Sequence, residues 1–373
     1  MRLAIDFVPD PIRTETLVGG GEVIERLAPV WRRLCGEGPC DEPFYRPEWI
    51  AAWYEAFGGG TRMRLVAAWR GDRLRAVLPL VEGWGRVRGI PVRLLRGAAG
   101  VHSCRFDVIH GAGDADEAGR AIWEELRRAG GFEAIEIPDV PEGGLAERML
   151  GWAAEDGHPV GRWESMRTPW IPLPGPEGDF DALLEQQTTA KFRANLRRRR
   201  RRLEERGRLA FRRIDRADPV ALQAFYDLEA AGWKGRRGTA IARDDATRAF
   251  YDRVAEWAAR EGGLSLYALE LDGLPVAMHF GLTWKGQYFL PKPAFDERFA
   301  SCSPGQLLLH EVLRDCVERG LECFDFLGPA MEWKADWTDR HRSHGWCYVF
   351  RRGPVGVALH AAKFRVPGLL RRK

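Results

Sequence analysis

The alternation of apolar and polar positions is clearest between Leu264 and Trp337. Leu264–Leu271 is apolar and β-rich, and it ends at Asp272-Gly273, a two-residue hairpin pair whose positive φ suits twisted antiparallel strands. Leu274–Trp284 runs back, Lys285-Gly286 turns again, and Gln287–Leu290 forms a third strand. Ser303-Pro304-Gly305-Gln306 then opens a helix, with Ser303 as N-cap and Pro304 at the first helical position, where its missing N–H costs nothing. Leu309, Val312, Leu313, Cys316 and Val317 recur at three- and four-residue spacing and make one apolar stripe. Gly320 stops the helix, and Cys323–Leu327 returns as a short strand. Strand, helix and strand in one sheet imply a right-handed crossover. That crossover puts the first-turn N–H groups of Gly305, Gln306 and Leu307 at the carboxyl end of the sheet, where an anionic group binds.

The same order occurs once before. After a lead-in strand with Leu3, Ile5 and Phe7 alternating, a helix is predicted near Val23–Leu34. Another starts at Pro47, carries Trp49, Ile50, Trp53, Tyr54 and Phe57, and ends at Gly58-Gly59-Gly60. Met63–Trp69 reads as a strand, Gly71-Asp72 as a turn and Leu74–Val81 as a strand. Asp116–Ala129 reads as a helix, stopped by Gly130-Gly131, and Phe132–Ile137 as a strand. An internal duplication accounts for both series. The first copy opens its helix on Gly113-Asp114-Ala115-Asp116-Glu117, an acidic entry that repels phosphate, so it is expected to hold no cofactor. Residues 166–180, with four prolines and two glycines, read as the linker. The expected domains are therefore 1–165 and 181–373.

At 373 residues the chain exceeds one comfortable core, in keeping with two domains. No stretch of about 18 uncharged apolar residues exists, and residues 1–11 lack the apolar centre of a signal peptide. The seven cysteines have no metal or disulfide spacing, which fits a reducing cytoplasm and indicates no zinc. Net charge is +4, but residues 191–213 alone hold twelve Lys/Arg and two Glu, a local net of +10, so the remainder carries −6. The protein is mildly acidic with one basic element. On that element, residues 188–206, the residues Phe192, Leu196 and Leu203 share one side, so a thin apolar stripe anchors a helix wrapped in arginine. Lys191, Arg193 and Arg197 are the positions expected to meet a ligand, and most of the other arginines are expected to be solvated. Asp218-Pro219 begins a helix to Leu228, residues 232–235 read as a loop, and residues 245–260 as an amphipathic helix. Trp346–Phe350 is a strand, and the basic tail from His360 to Lys373 is suited at most to peripheral contact with an anionic membrane.

The three-strand meander, the Ser303-Pro304-Gly305 helix start, Asp325-Phe326-Leu327-Gly328 and Trp333-Lys334 with Trp337 together resemble the GNAT-type N-acyltransferases. The Gly-x5-Lys spacing from Gly328 to Lys334 belongs to that resemblance, which covers the second half of the chain well and the first in outline. It points to the bacterial cellulose-biosynthesis-type acetyltransferases, hence to polysaccharide biosynthesis, and to their relatives, the Fem-type peptidyltransferases, which carry two GNAT units in one chain. The implied fold is mixed α/β: two tandem GNAT-like domains, each a mixed, mostly antiparallel sheet flanked by helices.

The resemblance implies acyl transfer from a thioester such as acetyl-CoA to an amine held in a cleft between the two halves. Such chemistry needs a pyrophosphate cradle, a donor to polarise the carbonyl, a route for the amine proton and a seat for the amine. The resemblance puts the cradle at Ser303, Pro304, Gly305, Gln306 and Leu307. Many GNAT members show Arg/Gln-x-x-Gly-x-Gly/Ala here, whereas this chain has Ala300-Ser301-Cys302-Ser303-Pro304-Gly305. That departure leaves two carriers open, coenzyme A and an aminoacyl-tRNA.

For the proton the candidates are His279, Asp325, Glu332 and Tyr288. His279 alternates away from Met278 and Phe280, and Asp325 away from Phe324 and Phe326. Lys334 is placed either to hold an anionic part of a ligand or to pair at the surface with Asp336 or Glu332, with Trp337 packed near it. The tyrosine that often precedes this lysine in the family is Trp333 here, so a tyrosine acid is absent at that position. Two further readings accompany the acyl-CoA enzyme. One is a Fem-like transferase whose basic helix binds tRNA; the other is a non-catalytic scaffold docking nucleic acid or anionic envelope components.

Overall fold

The computed structural model describes residues 10–365. Its strands are β1 (Ile12–Gly19), β2 (Arg62–Arg70), β3 (Arg73–Val87), β4 (Ile90–Gly97), β5 (Ile109–His110), β6 (Ala134–Pro141), β7 (Val160–Pro172), β8 (Leu209–Ile214), β9 (Leu264–Leu271), β10 (Leu274–Trp284), β11 (Gln287–Phe295), β12 (Cys323–Asp325) and β13 (His341–Phe350). Its α-helices are α1 (Glu22–Glu37), α2 (Pro47–Phe57), α3 (Ala115–Ala129), α4 (Leu145–Glu155), α5 (Phe180–Gln187), α6 (Ala190–Glu204), α7 (Pro219–Ala231), α8 (Trp233–Arg236), α9 (Asp245–Arg260), α10 (Pro304–Glu318), α11 (Glu332–Ala335) and α12 (Pro354–His360). The expected lead-in strand at Leu3, Ile5 and Phe7, and the tail beyond residue 365, lie outside the described residues.

The described residues divide into two units, 10–165 with 344–365, and 166–343. Two readings of the sequence are corrected by this division. Met166–Pro172 belong to strand β7 rather than to a linker, and residues 344–365 pack with the first unit although they follow the second in sequence. Prolines 169 and 172 both lie within this strand, Pro172 in register with Cys323. Pro169 offers its carbonyl to the Phe326 N–H at 3.1 Å.

In the first unit the strands run in the order β1-β2-β3-β4-β6-β13-β7, with β5 paired to β3. Leu65, Val66, Ala67 and Ala68 of β2 are all fully buried, as are Ala76, Val77 and Leu78 of β3. A strand covered on both faces reads as a continuous apolar run instead of alternating. Helix α1 buries Ile24, Leu27, Trp31 and Leu34, and α3 buries Ala118, Ile122, Trp123 and Leu126, each set at helical spacing.

The second unit has the order β7-β12-β11-β10-β9-β8. One face of this sheet carries a core built from α5, α6 and α10, including Phe180, Leu196, Tyr267, Tyr288, Leu308 and Trp337. Phe280 of β10 faces the other side, where its ring meets Phe225 of α7 at 6.0 Å and Tyr251 of α9 at 5.2 Å. The anchor residues read for the basic helix are correct: Phe192, Leu196 and Leu203 are buried, and Thr189 caps the helix by accepting the Phe192 N–H at 3.2 Å. Residues 233–236 form the short helix α8 where a loop was expected.

The duplication is visible strand by strand. In the first unit β1, β2, β3 and β4 pair antiparallel in succession, and β4 then pairs parallel with β6 across α3. In the second, β8, β9, β10 and β11 do the same, and β11 pairs parallel with β12 across α10. The sequence reading had β2, β3 and β6 of the first copy and β9, β10, β11 and β12 of the second. It missed β4 in the first, where charged and small residues break the apolar pattern.

Helix α4 starts on a buried carboxyl. Asp107 accepts N–H groups from Leu145 at 2.8 Å and Ala146 at 2.6 Å, as well as from Val108 at 2.8 Å. Burial outweighs these hydrogen bonds and raises its pKa from 3.8 to about 6. The folded state therefore binds this proton more tightly than the unfolded chain, so the group's contribution to stability falls as pH rises from about 4 to about 6 and is level above. Asp107→Asn is expected to flatten that fall in urea titrations between pH 4 and 7. Asp107→Ala, which strands two helix amides, is expected to cost about 1–2 kcal/mol at pH 7.

Candidate functional site

Strands β11 and β12 pair in parallel from Gln287 with Cys323 to Phe289 with Asp325, and there they part. β11 continues to Phe295, held by β10 on its other side, while the chain after Asp325 turns away. The turn passes through two left-handed residues, Leu327 (φ 48°) and Gly328 (φ 59°). A leucine in that region costs roughly 1–2 kcal/mol, so its surroundings must hold it there. The Leu327 N–H donates to Asp325 Oδ1 at 2.9 Å, and its carbonyl accepts from Lys334 Nζ at 2.7 Å. Lys334 also donates to the Pro329 carbonyl at 2.9 Å. Asp325 is fully buried and takes a charge-assisted bond from Arg342 at 2.6 Å, whose guanidinium lies 4.3 Å from the Trp170 ring.

Helix α10 begins just beside this parting. Pro304 is buried at its first position, as the sequence indicates, but Ser303 does not act as a side-chain cap. Ser303 is left-handed (φ 48°, ψ 58°), which turns its hydroxyl back to the Ala300 carbonyl at 3.4 Å. Its carbonyl accepts the N–H groups of Gln306 at 3.0 Å and Leu307 at 3.2 Å. Two of the three amides expected to face an anion are thus used inside the turn, and Gly305 supplies the one that does not bond back to Ser303. A Cβ on Gly305 would meet Phe295 at an ordinary 3.7 Å. The Gln306 side chain donates to the Trp333 carbonyl at 3.1 Å and accepts from the indole N–H of Trp337. Trp337 is fully buried with its ring 5.1 Å from Phe192, edge to face.

Asp325, Lys334, Gln306 and Trp337 therefore form one framework around the helix entrance. Lys334 is 4% exposed, which rules out the surface ion pair with Asp336 or Glu332 considered from sequence.

His279 and Tyr288 sit on the sheet face that packs against α10. His279 is in register with Tyr267, and directly opposed residues of an antiparallel pair share a face. The Tyr288 hydroxyl lies 2.1 Å from where a Cβ of Gly281 would be, so only glycine admits this ring. Among the described residues, His279 Nδ1 and Tyr288 Oη are buried without a hydrogen-bond partner. Burial, helped by the charge of Lys234, lowers His279 to about 3; burial raises Tyr288 well above its ordinary value. Both are uncharged at neutral pH. Of the four groups named for proton handling, Glu332 on α11 alone is exposed.

Lys191 is exposed in the first turn of α6, apart from the rest. Arg193 and Arg197 line a cleft of about 570 Å³ with residues of α5 and α10. The sequence reading missed His310 and Arg314 there. Their signal was the three- and four-residue spacing of Leu307, His310 and Arg314, read only as the edge of an apolar stripe.

The first unit is built differently at the matching place. β4 ends at Gly97, one residue past its last pairing with β6. A Cβ on Gly97 would lie 2.7 Å from the Phe106 ring and 3.0 Å from Pro138, so side chains occupy that space. The acidic entry of α3 is tied down by arginine, Asp114 accepting from Arg70 at 2.9 Å and from Arg75 at 2.7 Å.

Residues 190–335 match the family model described as an acetyltransferase (GNAT) domain. By sequence, no curated protein matches the chain. Among solved structures, FemX is similar in fold, with a TM-score of 0.53 at 14% identity over 83% of this chain and 93% of that one. The C-terminal domain of an Agrobacterium fabrum protein described as a lysylphosphatidylglycerol synthetase gives a TM-score of 0.50 at 13% identity, over 91% of this chain and 94% of that one. The segment 190–335 belongs to the GNAT superfamily, and the chain that carries it shares its fold with FemX.

Proposed function

We propose that this chain is an N-acyltransferase that moves an acyl group from an acyl-CoA thioester, most simply acetyl-CoA, to the amine of a small anionic or sugar-linked acceptor. The observation that carries this reading is the parting of β11 and β12 beyond Phe289 and Asp325, next to the start of α10. Past that point the edge of β11 turned toward β12 is no longer taken by it, and an extended, amide-bearing arm such as pantetheine supplies partners of the kind a strand would. The Gly305 amide at the positive end of α10 supports seating the carrier's pyrophosphate there.

In the reaction the amine nitrogen attacks the thioester carbonyl, the C–N bond forms, the C–S bond breaks and the thiolate leaves. His279 and Tyr288 are held uncharged by burial, which favours attack by an amine that arrives already neutral, its proton passing to water. Asp325 and Lys334 act as positioning residues: they hold the turn at Leu327 and so the gap itself.

A second reading has one observation in its favour. Arg197, Arg198, Arg201 and Arg202 are exposed along α6, as a helix that engages the phosphates of an aminoacyl-tRNA donor requires. It also follows from the resemblance to Fem-type transferases.

Acyl-CoA is expected to raise the melting temperature of the whole chain, and no shift with any thioester would remove the leading reading. Gly305→Glu is the sharper variant. Replacing a helical glycine with an acid near an N-terminus leaves the fold as stable or slightly more so, by up to about 1 kcal/mol, yet it repels phosphate and should erase the acyl-CoA shift. Initial rates are expected to rise with pH along the acceptor's own amine titration, with no inflection assignable to His279 above pH 5. For the tRNA reading, binding of aminoacyl-tRNA should fall steeply with salt, with a log–log slope of several units, and flatten in R198Q/R201Q/R202Q; a shallow slope in the unaltered chain removes it.

A further inference from the structure

The cleft between α5, α6 and α10 has a charge pattern that the protein does not satisfy by itself. Two of its cations are committed. Arg193 closes the end of α5, donating to the Thr188 carbonyl at 2.6 Å and the Leu184 carbonyl at 3.3 Å. Arg200 pairs with Glu204 and Glu311. Although burial opposes it, the bonds from His310 and Arg200 hold Glu311 down at about 2, so that carboxylate stays ionised and the Arg200 charge is answered from within the protein.

Arg197 and Arg314 are left. Among the described residues neither has a carboxylate at ion-pair distance, and Arg314, whose guanidinium lies 5.1 Å from the Phe180 ring, lines the same cleft. Asp181 and Glu185 of α5 line the cleft too, and no ion pair joins either acid to these arginines. Opposite charges thus face one cavity without closing on each other. The walls between them are apolar, from Leu184, Leu196 and Leu307, which strengthens the field inside.

We propose that this cleft binds a small phosphate ester that also carries a protonated amine. The guanidinium forks of Arg197 and Arg314 take the phosphate, a geometry suited to bidentate oxyanion recognition. Asp181 and Glu185 take the ammonium. Leu307, which lines the cleft, lies in the first turn of α10, the helix that also carries Gly305. Calling this ligand the acceptor rests on the transferase reading; the binding site does not.

The test is calorimetric titration of the full chain, without thioester, using O-phosphoethanolamine, inorganic phosphate and ethanolamine as probes. O-Phosphoethanolamine is expected to bind, with Arg197→Gln and Arg314→Gln each weakening it by about tenfold or more, as loss of one charged hydrogen-bonding partner does. D181N/E185Q should weaken O-phosphoethanolamine and leave inorganic phosphate unchanged. R198Q/R202Q, exposed on α6 but outside the cleft, should leave both unchanged. Because Arg197 is exposed, its replacement is not expected to disturb folding, and it carries the test should Arg314→Gln unfold. The proposal is overturned if O-phosphoethanolamine does not bind, if Arg197→Gln binds it as the unaltered chain does, or if R198Q/R202Q weakens it equally. It is also overturned if free coenzyme A displaces the probe and loses affinity itself in Arg197→Gln, because the cleft then belongs to the carrier. Acyl-CoA binding without probe binding removes this proposal alone, and probe binding without any thioester response removes the transferase reading alone.

Discussion

The second unit depends on one backbone constraint, the left-handed turn at Leu327 and Gly328 that diverts the chain away from β11. A leucine adopts that conformation at a cost, and here both of its peptide groups are fixed from outside, the N–H by Asp325 and the carbonyl by Lys334. Each of those side chains is buried and further tied, Asp325 to Arg342 and Lys334 to Pro329. A buried charge is retained only when it is fully partnered, so the four groups stand or fall together. What they maintain is the point at which β12 leaves β11, after a pairing of three residues.

The first unit shows the same topology with a different ending to its parallel pair. Its parallel pair also covers three residues, from Leu94 with Ala134 to Arg96 with Glu136, and an acid again stands at the end of the pairing. There the acid, Glu136, binds Arg96 of the adjacent strand at 2.8 Å. A left-handed residue, Asp139, follows at φ 50°. But β4 stops at Gly97, and Phe106 and Pro138 occupy the place where β11 runs on to Phe295 in the second unit. Duplicated strands and helices were thus kept, while side chains fill in the first copy the place through which β11 runs on in the second.

This arrangement also separates the polar side chains of the second unit by where their hydrogen bonds go. Asp325, Lys334, Gln306 and Trp337 cluster at the helix entrance, as a catalytic set would. Their hydrogen bonds are spent on the chain itself, so their task is to build the entrance. His279 and Tyr288 are sealed into the sheet face with unpartnered polar atoms, and burial fixes both in their uncharged forms. The side chains with charge to spare lie elsewhere, on facing surfaces of α5, α6 and α10.

The amino-acid sequence by itself determined the order of elements and their periodicity. Hairpin pairs such as Asp272-Gly273, the proline at the first position of α10 and the apolar stripe of α6 are local, and local backbone preference acts over a few residues. The repeat was legible for the same reason, because it is a succession of such signals. Tertiary structure alone decided which polar groups are free. Whether Lys334 meets solvent or two carbonyls, whether the Ser303 hydroxyl caps a helix or turns back, and whether Arg197 and Arg314 share a cleft depend on contacts between residues far apart in the chain. Hydrogen bonding and burial set those outcomes, and neither is encoded in the spacing of residue types along one strand or helix.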